Sequence, residues 1–322
     1  MLVPFVIETD ALAGEERWTA RELRGHHEAL LRAWKRIGLF VFDGQHLSNS
    51  ALKQVIDASL EGSVMHGLWR GFVERAPSVP GGDKWPGTMN EVGIPGLAEV
   101  ARVCFTKDAV IDQFEDAARA VDLELLTIAG AGGCRGFAVG EQKAGTGIDQ
   151  GESVRSVWLE RFAPLAAART DKLKNIYVSD PYSVERYIAE GKEGLVRFLS
   201  LLSETAQSRK NVTVYAKWPY RENRRVPREL IIESLRAMRV GNDLELVSKL
   251  SVVLGNNAEQ FPRERFIMFG ETYVWEIGHV LEVFDAAIVT KKHNASLKTW
   301  ESTEFYGKWL DDLQMNERLE IW

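Results

Sequence analysis

Short apolar runs rich in β-branched and aromatic residues alternate with segments of helical spacing, and this alternation restricts the fold of the chain more than any other feature. The runs "VPFVIETDAL" at 3–12, a strand running into a turn, "LFVFDG" at 39–44, "KNIYVSD" at 174–180 and "NVTVYAKW" at 211–218 have the composition of buried strands. Between them, "ARELRGHHEALLRAWKRIG" (20–38) puts Leu23, Leu30, Leu31 and Trp34 on one helical face and stops at Gly38. The segment "SNSALKQVIDASLEG" (48–62) reads as a second helix with a serine cap. Strand and helix in alternation imply α/β layers, and 322 residues suffice for two domains.

Residues 77–96 hold four prolines and many glycines and read as a long irregular loop. A helix at 107–122 and a strand at 123–133 follow, and "FAVGEQKAG" (137–145) reads as a strand and loop. The polar, glycine-rich stretch 140–152 marks the expected boundary between an N-terminal α/β domain, 1–145, and a C-terminal domain, 153–322. In the second half, helices read from "SVRSVWLERFAPLAAA", "EGLVRFLSLLSETAQ" and "PRELIIESLRAMRV" alternate with strands, "LELVSKL" among them. The stretch "RERFIMFGETYVWEIGHVLEVF" (263–284) then reads as a strand, a tight turn, a second strand, and a last helix opened by Gly278 and His279.

With hydrophobic residues at 45% and charged residues at 27%, the composition is that of a globular protein, and no apolar run is long enough to span a bilayer. The N-terminus meets acid early and lacks the basic start of a signal peptide. Two widely spaced cysteines, Cys104 and Cys134, suggest neither a disulfide scaffold nor a zinc site, so a reducing cytoplasm is expected. A net charge of −6 means that any contact with an anion must come from a local patch. One such patch spans 209–239, where nine basic residues face three acids. Arg224, Arg225 and Arg228 lie in it, with Trp218 and Tyr220 interleaved as candidate stacking groups for bases or a lipid interface. The segment "AGAGGCRG" (129–136) lacks the G-x-G-x-x-G spacing and no helix is expected after it, so no nucleotide cofactor is expected.

Three fragments of the second half carry a family resemblance: "IYVSDPYS" with Asp180, Pro181 and Tyr182, "RERFIMF" with Arg265, and "IGHVLEVF" with Gly278, His279 and Glu282. Over about 153–322 the chain resembles the phospholipase-D-like domain that follows microtubule-interacting and transport modules, and its bacterial relatives. Arg263-Glu264-Arg265 stands where that family often has His-Asp-Arg, and His279-Val280 where it often has Arg-Gly. The resemblance implies a phospholipase-D-like α/β fold with a charged cleft formed by Asp180, Arg265, His279 and Glu282. Active members need His-x-Lys twice, and no histidine of this chain has lysine two residues later. Without that imidazole no phosphohistidine forms, so a pseudoenzyme used for recognition is expected.

Acids close the first strand in "VIETDAL", as they do in PIN-type nucleases, which the N-terminal half resembles in this feature. The resemblance implies a metal-dependent nuclease in which Asp10, with Asp116 and Asp122, is catalytic and Asp10 and Asp122 hold Mg²⁺ or Mn²⁺. Glu8, Asp43 and Glu124 are alternative contributors. The expected partner is nucleic acid, and relatives with this arrangement would fit antiviral defence. The alternative is a non-catalytic interaction protein for an acidic partner peptide or an anionic membrane, as a homo-oligomer or a subunit of a larger complex.

Overall fold

The computed structural model describes the chain except residues 13–17, 60–63, 74–75, 77 and 169–170. It is mixed α/β and divides into two compact units, Met1–Ala144 and Gly145–Trp322. Among the described residues no helix is long and apolar enough to cross a membrane.

The N-terminal unit is built on five parallel strands: β1 (Val3–Ile7), β2 (Gly38–Phe42), β3 (Ser78–Pro80), β4 (Val103–Phe105) and β5 (Glu124–Leu126), in spatial order β3-β2-β1-β4-β5. Its helices are α1 (Ala20–Arg36), α2 (Ala51–Ser59), α3 (Val64–Val73), α4 (Met89–Val100), α5 (Asp108–Ala120) and α6 (Arg135–Gly145). The strict alternation of a strand sorts its side chains onto two cores. Val6, Val41, Cys104 and Leu125 pack against Trp85, Met89, Leu97 and Ala118 from the α4–α5 side. Phe5, Phe40 and Phe105 point the other way, into an aromatic cluster with Trp34 of α1 and Phe137 of α6. Both faces of the parallel sheet are thereby covered, as parallel strands require.

The structure corrects two expectations here. The loop expected at 77–96 contains β3 and the start of α4, which breaks at Gly93 (φ 66°) before Pro95 restarts it. The stretch expected as strand and loop after residue 136 is the helix α6. The helix expected at 48–62 is described only to Ser59. Cys104 and Cys134 are both buried free thiols, and burial pushes Cys134 up to about 12.

The C-terminal unit carries helices α7 (Val154–Arg161), α8 (Ala163–Ala166), α9 (Ser183–Glu190), α10 (Gly194–Thr205), α11 (Arg228–Gly241) and α12 (Trp300–Leu313). Its strands are β6 (Asn175–Ser179), β7 (Lys210–Lys217), β8 (Tyr220–Arg221), β9 (Arg224–Arg225), β10 (Val247–Gly255), β11 (Phe266–Phe269), β12 (Tyr273–Ile277), β13 (Ala295–Thr299) and β14 (Glu317–Glu320). Seven of them form one mixed sheet, β13-β12-β11-β6-β7-β10-β14, in which β6, β7 and β10 run parallel. Strands β8 and β9 form a separate two-stranded hairpin. One core stacks Trp158, Phe162, Phe198, Trp275 and Phe284. The other seats Tyr306, Leu310 and Leu313 of α12 on Tyr215, Val253, Phe266, Met268 and Val274. The segment expected as the last helix is a single 3-10 turn, Leu281–Phe284, and the last helix is α12.

Candidate functional site

The carboxyl ends of β6, β7 and β10, the start of β11 and the end of β12 lie along one edge of the C-terminal sheet. Five candidate residues or their neighbours meet there. Asp180 follows β6 and is buried. Its carboxylate accepts the backbone N–H groups of Tyr182 and Leu281, both at 3.1 Å, and so ties the strand end to the 281–284 turn. Asp180 therefore holds a shape, with one backbone N–H on each of its two oxygens.

Tyr182, one residue past the Asp180-Pro181 pair, is the centre of what lies above it. The Lys217 ammonium stands 4.5 Å from its ring centroid and the Arg265 guanidinium 5.0 Å. Lys217 is balanced by Glu185 at 2.7 Å. Arg265 has no carboxylate within ion-pair distance among the described residues; its Nη1 donates to His279 Nδ1 at 2.5 Å. Because that nitrogen accepts, the imidazole is neutral and its proton sits on Nε2. Burial, then the charges of Arg265 and Lys291, push the His279 pKa down, with Glu282 and Asp180 acting the other way.

Glu282 approaches the same Nδ1 at 3.3 Å, but its carboxylate belongs to Lys291 at 2.7 Å and Arg186 at 3.6 Å. Burial would raise its pKa, yet the Lys291 hydrogen bond and the Arg186 charge outweigh that and hold it below the ordinary value. Both groups of the His279–Glu282 pair are shifted down, which describes a carboxylate beside a neutral ring and not an ion pair. Arg265 and Glu282 thus meet only through His279. Glu185, Arg186 and Lys291 were not singled out in the sequence; "SVERY" directly after Asp-Pro-Tyr was the signal that α9 starts there.

The hairpin rises from the end of β7. Its turn residues Glu222 and Asn223 have φ of 52° and 63°, the double left-handed geometry of a type I′ turn. In its register Arg221 faces Arg224 directly, and both are exposed with no acidic partner among the described residues. Like charges directly opposite destabilise a ladder, so this placement opposes the hairpin's own stability. Trp218 is not the stacking platform expected. It is 5% exposed, its indole N–H donates to the Val226 carbonyl, and the Arg225 guanidinium covers its face at 3.7 Å. Tyr220, 42% exposed, is the aromatic that remains open. Arg228 pairs with Glu317 at 3.5 Å, Arg236 donates to the Ile321 carbonyl, Arg239 lies over Trp322, and Lys210 is buried. Of the nine, Lys210, Arg228, Arg236 and Arg239 are thus engaged within the molecule, and the hairpin holds Arg221, Arg224 and Arg225.

The Tyr220 N–H donates to Glu185, whose other oxygen holds Lys217. Hairpin, Lys217, Tyr182, Arg265 and His279 therefore line one strip, in which Arg221, Arg224 and Arg265 are cations with no carboxylate partner among the described residues. From β10 to β12 it crosses four strand spacings, roughly 19 Å.

In the N-terminal unit the acids do different work. Glu8 is buried and accepts the N–H of Met89 at 2.7 Å and the hydroxyl of Thr106. Asp43 accepts the N–H of Ala51 with both oxygens, capping α2. Glu124 accepts the N–H groups of Arg135 and Gly136 at the start of α6. A helix does follow the glycine-rich turn, but its first amides are taken by this carboxylate. Asp10 lies just past β1 and pairs with Lys107 at 2.9 Å. Asp122 precedes β5, pairs with Arg135 at 3.2 Å, and so stands at the opposite end of the parallel sheet from Asp10. Asp116 is exposed on α5. Asp10 and Asp122 cannot share an ion, which corrects the expected metal pair. Among the described residues no three His, Cys, Asp or Glu side chains gather as a metal cage needs.

No protein-family model matches the chain, and no curated protein matches it.

Proposed function

We propose that the protein is a nucleic-acid recognition factor, and that its C-terminal unit is a phospholipase-D-like domain that binds the phosphodiester backbone without cleaving it. The observation that carries this reading is the pair Arg221 and Arg224, set opposite each other on the hairpin with no counter-ion among the described residues. An anion between them relieves the repulsion, and the guanidinium fork suits phosphate oxygens. The strip continues the positive charge to Arg265, and Tyr220 offers a ring on which an unpaired base can stack. Cleavage by phosphohistidine is absent from this reading because no His-x-Lys occurs in the chain. The N-terminal acids support capping and do not favour the PIN-type nuclease alternative.

The test is fluorescence anisotropy with a labelled single strand across a salt series, against unlabelled duplex and an acidic peptide as competitors. Each phosphate contact contributes about −0.7 to the log–log salt slope on a single strand. Arg221→Ala with Arg224→Ala is expected to flatten the slope by about 1.4. An unchanged slope overturns the nucleic-acid reading, and so does an acidic peptide that displaces the strand while duplex and single strand cannot displace the peptide.

A further inference from the structure

On the α12 side of the C-terminal sheet a groove of about 390 Å³ runs between the helix and the strands. Its floor is apolar and aromatic: Tyr177 from β6, Met268 from β11 and Leu310 from α12. Three carboxylates stand around it, Glu271, Glu304 and Asp311. Lys308, the cation of the lining, is engaged by Glu304 at 2.9 Å, one turn away on the same helix. Glu271 and Asp311 have no cationic partner within ion-pair distance among the described residues. Asp311 receives one weak contact from the Gln314 amide at 3.4 Å, and the Glu271 backbone carbonyl accepts from Thr303, which fixes the loop under its side chain. Burial, then the charges of Glu271 and Asp311, push the Tyr177 hydroxyl pKa up, with the Arg318 charge and an Asn175 hydrogen bond acting the other way.

We propose that this groove docks a basic segment of a partner protein, with one arginine or lysine lying over the Tyr177 ring between Glu271 and Asp311. Three features select that occupant. Two unbalanced carboxylates attract a cation, and a tyrosine face adds a cation–π contact. The long aliphatic stem of arginine or lysine also suits a floor made of Met268 and Leu310. The same charges repel phosphate, so the groove is separate from the arginine hairpin and does not rest on the nucleic-acid reading. Gly307 leaves the groove open: a Cβ built there meets nothing within 4 Å, so the helix would accept a larger residue without a clash.

The test uses the full chain and two fluorescein-labelled peptides, Gly-Arg-Leu-Arg-Arg-Leu-Gly and its counterpart with glutamate for arginine, followed by anisotropy at low salt. The arginine peptide is expected to bind and the glutamate peptide not to. Glu271→Gln with Asp311→Asn is expected to weaken binding about tenfold, the sum of two partly exposed charge contacts. Gly307→Arg, which fills the groove and supplies the cation, is expected to abolish binding with no loss of melting temperature. The proposal is overturned if the unmodified chain fails to bind the arginine peptide. It is equally overturned if the glutamate peptide binds as well, or if both variants bind like the parent.

Discussion

Lys210 has no exposed surface, and its ammonium donates to the carbonyls of Ala168 at 2.6 Å and Leu173 at 3.3 Å with no carboxylate beside it among the described side chains. Two carbonyl dipoles satisfy hydrogen bonds but do not replace the hydration of a full charge. Burial accordingly pushes its pKa from the ordinary 10.5 down to about 8. Because the folded value lies below the unfolded one, the unfolded chain binds more protons between about pH 8 and 10.5. Stability from this residue is therefore full above pH 10.5 and is lost as pH falls toward 8. In urea titrations the parent is expected to gain up to about 3 kcal/mol across that window relative to Lys210→Met. Parallel curves for the two proteins would show that the lysine is not desolvated as described. The residue scale is also where the sequence misled most. An acid after a strand looks the same whether it binds metal or caps a helix, and only the backbone N–H groups facing Glu8, Asp43 and Glu124 distinguish the two. Trp218 beside arginines reads as exposed, yet Arg225 uses its face from within the molecule.

Among elements, the 281–284 turn depends on one side chain from 101 residues earlier, Asp180. Replacing Asp180 with alanine leaves the Tyr182 and Leu281 N–H groups without an acceptor. It is expected to cost about 3 kcal/mol in urea unfolding, since hydrogen bonds to a charged acceptor are worth roughly 1.5–3 kcal/mol each and are not fully additive. Asp180→Asn, which keeps one acceptor oxygen, is expected to lose less. Equal losses for the two variants would mean that the charge and not the hydrogen bonds fixes the turn. Elements with a clean period were legible: α1, α5, α10, α11 and the strands β2, β6 and β7 lie within about two residues of their expected ends. Those that carry internal glycine or a break were not. Helix α6 contains Gly136 and Gly140, poor helix formers that occur there because a Cβ at 140 would lie 2.4 Å from Val3 and one at 136 would lie 2.7 Å from Val103. Packing against the strands overrides propensity at both. Of the site, Asp180, Arg265, His279 and Glu282 were legible as neighbours, but the ring that seats two cations, Tyr182, became visible only with β7 and β11 in place.

For the whole molecule, each unit buries one histidine in neutral form, so acid acts on both. In the N-terminal unit His27 accepts the Trp69 indole N–H at 2.9 Å, and burial, then His26, push its pKa down to about 4. In the C-terminal unit His293 is 3% exposed, its Nδ1 has no hydrogen-bond partner among the described residues, and its pKa also falls to about 4. Burial leads there as well; the charges of Lys291, His279 and Arg186 add to it, and Glu282 opposes it. Folded values below 6.5 mean that the unfolded chain takes up more protons between pH 6.5 and 4, so stability is full above about pH 6.5 and drains away as pH falls to 4. His27 alone contributes up to about 3 kcal/mol to that loss, with His293 acting in the same sense. The strip's own histidine adds an opposite influence on binding. His279 is neutral with Nδ1 engaged by Arg265, and protonation would break that bond and add a positive charge to the strip that leads from the hairpin. As pH falls below 6.5 the chain is thus expected to lose stability while its affinity for a single strand rises. His27→Gln should make the stability profile shallower, with His293 keeping its share, and leave the affinity profile untouched, whereas His279→Gln should flatten the affinity profile. Urea unfolding and anisotropy at matched pH separate the two, and a single variant that flattened both profiles would show that acid acts through one unfolding event and not through two independent histidines.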